Sequence, residues 1–123
     1  MAKIDQLLQQ FRGEIGADFI SADLVGMDGL SIAGTASDPA FNSSEASARV
    51  AMVMKLAGNV TTKVGMGVVD DNLVTTDRSY MLTRFLGDGS YFINVAVTRN
   101  AILGSVRLMM NEYAPKFWEA IPH

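Results

Sequence analysis

The stretch ADFISADLVGMDGLSIAGTA, residues 17–36, carries the pattern on which the fold turns. Ile20, Ala22 and Leu24 alternate with Phe19, Ser21, Asp23 and Val25, the two-residue period of a strand whose side chains face opposite ways in turn. Asp28-Gly29 then supplies the positive backbone angles of a tight turn, and a second strand-like run follows over residues 30–36. Two antiparallel strands joined as a hairpin are predicted.

Upstream, Ile4, Leu7, Leu8 and Phe11 recur at helical spacing among Gln and charged residues, with Gly13 as a stop signal. A helix over residues 3–12 that buries one face is expected. Downstream, residues 37–44 hold Pro39 and serines and read as a loop. Ser43 or Ser44 is the expected cap of a helix over residues 44–64, and Glu45 suits the positive end of its dipole.

Within that helix Ala46, Val50, Val53, Ala57, Val60 and Val64 form one continuous stripe, Ala48, Met52 and Leu56 lie beside it, and Ala51 and Met54 add further apolar surface. A surface helix on a small domain needs only about 100° of apolar arc. The surplus calls for cover from something else.

After Gly65-Met66-Gly67 the chain turns strand-rich, with runs over residues 73–77, 80–86 and 91–97 separated by Arg78-Ser79 and Gly87-Asp88-Gly89-Ser90. In the last run Tyr91, Ile93, Val95 and Val97 make one face and Phe92, Asn94 and Ala96 the other. Both faces look covered, which requires helices on both sides of the sheet. A final helix begins near Asn100 as cap, places Ile102, Val106, Met109, Met110 and Tyr113 on one side, and ends at Pro115, with Phe117 and Trp118 folding back as an anchor. The order α-β-β-α-β-β-β-α fills residues 1–123 as a single domain, without repeat or linker.

Composition removes whole classes of function. With 49% hydrophobic and 19% charged residues in 123, the chain is neither disordered nor of low complexity. No run approaches the roughly 18 apolar residues of a membrane span, and residues 1–10 lack the apolar core of a signal peptide. No membrane insertion is expected, and the absence of Cys suits a reducing cytoplasm. The one histidine is His123, which leaves no Ser-His-Asp or Cys-His pair, no Cys/His metal site and no internal histidine acid or base.

The net charge of −3 is uneven. Residues 13–48 carry six acids and no Lys or Arg, whereas residues 49–123 carry eight bases and six acids. There is no basic stripe of the kind phosphate backbones require, so no nucleic-acid partner is expected. The acidic segment reads as solvated surface.

Motif by motif, the chemistry is bland. There is no P-loop, and Gly65-Met66-Gly67 and Gly87-Asp88-Gly89 lack the third glycine of a phosphate cradle and read as turns. Asp70-Asp71-Asn72 lacks the later Glu of a calcium loop and reads as a solvated turn. Ser21 and Asp23, if they face a groove, have no base beside them. Met52, Met54, Met66, Met109 and Met110 read as packing residues. No catalytic residue, cofactor or metal ligand is assigned.

Element order, length and three clusters together resemble the Roadblock family, the dynein light chain Roadblock type. The clusters are Asp28-Gly29-Leu30 with Ile32-Ala33, the Ala-rich helix from Glu45 to Leu56, and Leu103-Gly104 with Val106-Arg107. The resemblance implies an α+β fold, a Roadblock/profilin-like sandwich. Its five-stranded antiparallel sheet carries the first and last helices on one face and the central helix on the other. It also implies a homodimer in which the third strands join into one ten-stranded sheet with the central helices side by side.

The residues themselves ask for such a partner. The central helix has surplus apolar arc, its small residues Ala46, Ala48, Ala51, Ala57 and Gly58 permit close approach, and the strand over residues 73–77 presents an open edge. The alternative is a central helix buried within its own subunit. The expected interface comprises Ala46, Arg49, Val50, Val53, Ala57 and Val60 on the helix and Leu73, Thr75 and Asp77 on the strand.

In function, the resemblance implies a non-enzymatic, cytoplasmic module that binds a Ras-like small GTPase and regulates it. The alternative is an adaptor dimer that holds peptide segments without nucleotide dependence. Arg49, Arg78 and Arg84 are the arginines available to complete a GTPase site in trans. The bacterial members that this chain resembles imply instead that the GTPase's own residues are remodelled.

Overall fold

In the computed structural model, residues 2–122 are described; His123 lies outside them. The elements are α1 (Ala2–Ile15), a 3-10 turn (Gly16–Asp18), β1 (Phe19–Gly26), β2 (Ser31–Ala36), α2 (Ser43–Lys63), β3 (Asp71–Thr75), β4 (Ser79–Leu86), β5 (Tyr91–Thr98) and α3 (Leu103–Ala120). The strands form one sheet in the order β2-β1-β5-β4-β3, antiparallel throughout. This is the predicted α+β architecture, with α1 and α3 on one face and α2 on the other.

The α1/α3 face holds the larger core. Ala22 and Leu24 of β1, Ile93, Val95 and Val97 of β5 and Leu82 and Leu86 of β4 meet Ile4, Leu8 and Phe11 of α1 and Val106, Met110, Tyr113 and Phe117 of α3. Phe11 stands edge-on to Tyr113 at 5.2 Å and to Phe117 at 6.0 Å, an arrangement that matches ring edge to ring face. Across the sheet the smaller core is Val25 and Phe92 under Val50, Ala51 and Met54 of α2.

Several boundaries differ from the sequence expectations, each for a local reason. Helix α1 runs through Gly13 to Ile15 and stops at Gly16, whose φ of +79° is the left-handed conformation a helix stop uses. A mid-helix glycine costs about 1 kcal/mol, less than the packing of Ile15 against the larger core returns. Helix α2 is capped by Asn42, not by Ser43 or Ser44; the Asn42 side-chain oxygen accepts from the Glu45 N–H at 3.1 Å. Strand β3 lies two residues earlier than expected, so Asp77 falls in the following turn, and Asp71 and Asn72 are strand residues rather than a solvated turn.

The largest correction concerns Pro115. It sits inside α3, which continues to Ala120, and Phe117 and Trp118 belong to the helix rather than to a returning segment. Proline deprives the Asn111 carbonyl of its helical donor, but Pro115 and Asn111 are both exposed, so that carbonyl can be hydrated. Fully buried Phe117 and Ile121 hold the last turns in register with the core.

The hairpin also has its own geometry. Gly29 donates to the Gly26 carbonyl at 2.9 Å and has φ +88°, whereas no non-glycine residue among those described has positive φ, Asp28 included. A Cβ on Gly29 would also stand 3.4 Å from the Ala48 Cα of α2. Gly29→Ala is therefore expected to lower stability by about 1–2 kcal/mol, read as a lower denaturation midpoint at unchanged slope.

Candidate protein-interaction surface

Helix α2 turns Ser47, Val50, Ala51 and Met54 toward the sheet. Val50 is 5% exposed and packs within its own subunit, so of the expected interface residues it is the one turned inward. The rest of the apolar stripe stays in solvent: Val53 is 43% exposed, Val60 53% and Val64 61%, with Leu56 at 65% and Met52 at 70% on the adjoining face. Ala46 and Ala57 are half-buried on the same flank. Arg49 is exposed, its guanidinium 3.3 Å from Glu45 Oε1 one turn earlier, a pair of small energetic value in water.

The apolar ridge runs on into the connection to β3, where Met66 and Val68 are also exposed. Seven of the twelve large hydrophobic residues that stand in solvent among those described lie between positions 52 and 68. Scattered exposed apolar residues are ordinary; a run concentrated on one helix and its exit marks a contact surface.

From that exit the chain enters β3, which is one edge of the sheet, whereas α2 itself packs mainly over β1 and β2 toward the other edge. Phe85 donates to the Asp70 carbonyl and Thr76 to the Ser79 carbonyl, which sets the alternation of the β3–β4 ladder. Residues 70, 72, 74 and 76 thus turn their backbone groups toward β4, and Asp71, Leu73 and Thr75 turn theirs to the free edge. Leu73 is half-buried, while Thr75 and Asp77 are exposed.

The opposite edge, β2, is treated differently. Arg12 of α1 donates to Thr35 Oγ1 at 2.9 Å and to the outward-facing Ala36 carbonyl at 3.3 Å, and Gln9 reaches Thr35 Oγ1 at 3.4 Å. Side chains cap that edge, and β3 has no such cap in the described hydrogen bonds.

The remaining arginines lie elsewhere. Arg78 is in the β3–β4 turn, and Arg84 lines a cleft of about 690 Å³ between the β4–β5 turn and α3, beside Asp70, Asp88 and Trp118. Asp71 is 4.0 Å from Arg107. Among the described residues no group of three or more His, Cys, Asp or Glu side chains could hold a metal ion. No described helix is long and apolar enough to cross a membrane.

One group the sequence left without a role stands out. Asp23 is 1% exposed on the α2 side of β1 and neither carboxylate oxygen has a hydrogen-bond partner among the described residues. Burial pushes its carboxyl from the ordinary 3.8 up to about 6. Ser21, two residues earlier on the same face, is equally buried. An acid at an inward position of a central strand was the one signal available in the sequence.

No protein-family model matches the chain, and no curated protein is similar to it in sequence. Solved structures are similar in fold. Myxococcus xanthus MglB superposes with a TM-score of 0.88 at 13% identity, over 97% of this chain and 94% of that one. Gliding protein MglB from Thermus thermophilus gives 0.83 at 15% identity, over 96% and 87%. A Roadblock/LC7 domain from Streptomyces avermitilis gives 0.76 at 20% identity, over 91% and 95%. With its five-stranded antiparallel sheet between α1/α3 and α2, the chain has the Roadblock-type fold.

Proposed function

We propose that the chain works as a homodimer in which β3 edges pair and α2 flanks pack together, and that this dimer binds a Ras-like small GTPase and regulates its nucleotide cycle or placement in the cytoplasm. The carrying observation is the uncovered apolar ridge of α2 and its exit; the uncapped β3 edge, which the chain enters from that same exit, adds a strand free to pair. The proposed interface is Ala46, Arg49, Val53, Ala57 and Val60 with Leu73, Thr75 and Asp77, Arg49 and Asp77 forming its polar rim. The family resemblance read from the sequence favours a GTPase as the partner, and similarity to MglB structures supports the fold on which that resemblance rests.

On this reading the protein supplies a surface rather than a reacting group, and its arginines are unassigned. A dimer of this kind would act by favouring one nucleotide state of its partner, which requires different affinities for the two states. Pull-downs and hydrolysis assays with small GTPases of the same genome, loaded with GDP or a GTP analogue, test this. Retention of one nucleotide form is the expected result; no binding to any of them refutes it, and equal binding of both forms favours the adaptor reading.

Strand pairing has its own test. The Thr75 N–H points to the free edge and makes no ladder bond within its own subunit. Thr75→Pro is therefore expected to raise the dimer dissociation constant about tenfold while sparing the subunit's fold. Light scattering over a dilution series reads this, and an unchanged mass at low concentration rejects β3 pairing.

A further inference from the structure

On the α2 face, the strand registers line up Gly34, Asp23, Asn94, Thr83 and Asn72 in one row across all five strands. Asp23, Asn94 and Thr83 are buried, and Thr83 Oγ1 donates to Asn94 Oδ1 at 2.9 Å. That bond satisfies two members of the row with each other and leaves the Asp23 carboxylate with none. Gly34 presses on it directly: a Cβ at position 34 would collide with Asp23 Oδ1. The hydroxyls of Ser21 and of Ser47, which α2 turns toward the sheet, are also buried without partners.

The carboxyl has no counter-charge from any element packed against it. On its own strand it is flanked on this face by Ser21 and Val25. Gly34 faces it from β2 and Asn94 from β5, with Thr83 and Asn72 beyond on β4 and β3, and α2 presents Ser47, Val50, Ala51 and Met54. None of these groups carries charge near neutral pH. The helix on this face is α2, so solvent reaches Asp23 when α2 lifts from β1 and β2. An isolated carboxylate is far costlier to bury than a neutral carboxyl group, so ionisation and helix seating oppose each other.

We propose that Asp23 is a proton-controlled latch for α2: neutral, it leaves the helix seated on the sheet, and ionised, it shifts the helix toward a lifted state that admits water to the Ser21–Asp23 row. This seating equilibrium does not rest on the GTPase reading. It acts on the element that carries the proposed dimer surface, so the partner contacts made by α2 inherit its pH dependence.

With the seated-state carboxyl at about 6 and the exposed one at 3.8, the opening equilibrium of α2 rises about tenfold between pH 5 and pH 7.5. The experiment uses the full chain and Asp23→Asn at one protomer concentration. It combines a carbon-detected titration of the Asp23 carboxyl with amide-exchange protection corrected for intrinsic rate. The expected wild-type result is a midpoint near 6, with α2 amides such as those of Ala51 and Met54 losing protection about tenfold from pH 5 to 7.5 while α1 and α3 hold theirs. In Asp23→Asn the α2 loss should vanish.

A midpoint near 4 overturns the proposal. So does an α2 loss that persists in Asp23→Asn, or one shared equally by α1 and α3. Should Asp23→Asn not fold, the wild-type α2 protection must still track the Asp23 midpoint, and failure to do so is equally decisive. A binding assay against GTPases leaves these readouts untouched, so this proposal and the functional one fail separately.

Discussion

Glutamate in place of both Val53 and Val60 is expected to leave the protein monomeric. In the isolated subunit the two side chains are 43% and 53% exposed, so the substitutions cost the fold little, and glutamate is a good helix former. In a dimer built on this ridge, each carboxylate would be buried against another apolar helix without a counter-charge, at several kcal/mol apiece. The combined effect is a rise of roughly a thousandfold or more in the dimer dissociation constant. Sedimentation or light scattering at matched concentrations reads the mass, and thermal unfolding by circular dichroism checks that the subunit still folds. A folded variant of unchanged mass would move the interface away from α2.

Asp23→Asn is expected to stabilise the protein at neutral pH, the opposite of what replacing a buried side chain usually does. A carboxylic acid whose folded-state pKa lies above its unfolded one binds its proton more tightly when folded. Below about 3.8 the buried group carries no ionisation penalty. The penalty grows as pH rises and is complete above about 6. That interval corresponds to about 3 kcal/mol, from which the burial of an amide must be subtracted, leaving a net gain of about 2 kcal/mol at pH 7.5. Near pH 4 the two proteins should be almost equally stable. Urea titrations across pH 4–8 at fixed protomer concentration test the sign; a variant less stable than wild type at pH 7.5 would mean that the carboxylate has a stabilising partner.

Much of the fold is local and was legible in residues 17–36 and 91–97, where period-two alternation and Asp28-Gly29 specify antiparallel strands without outside information. The stripe on α2 was legible too, but its division was not. Val50 and Val53 belong to one stripe, yet packing buries the first and exposes the second. The helix boundaries erred where a local stop met a distant anchor. Gly13 and Pro115 are breakers by propensity, and Ile15 and Phe117 carry the helices past them by packing on the larger core.

By itself the sequence determined the element types, their order, the need for helices on both faces of the sheet and the lack of histidine or cysteine chemistry, because those follow from residue type and short-range spacing. Tertiary structure alone decided which edge is capped, by setting Arg12 against Ala36 across the gap between α1 and β2. It also decided that Asp23 has no hydrogen-bond partner among the described residues, because the Gly34–Asp23–Asn94–Thr83–Asn72 row exists only once β1 and β5, about 70 residues apart, pair and bring the β1–β2 and β3–β4–β5 hairpins into one register. Burial and charge pairing depend on groups far along the chain, and no local pattern encodes which of them will meet.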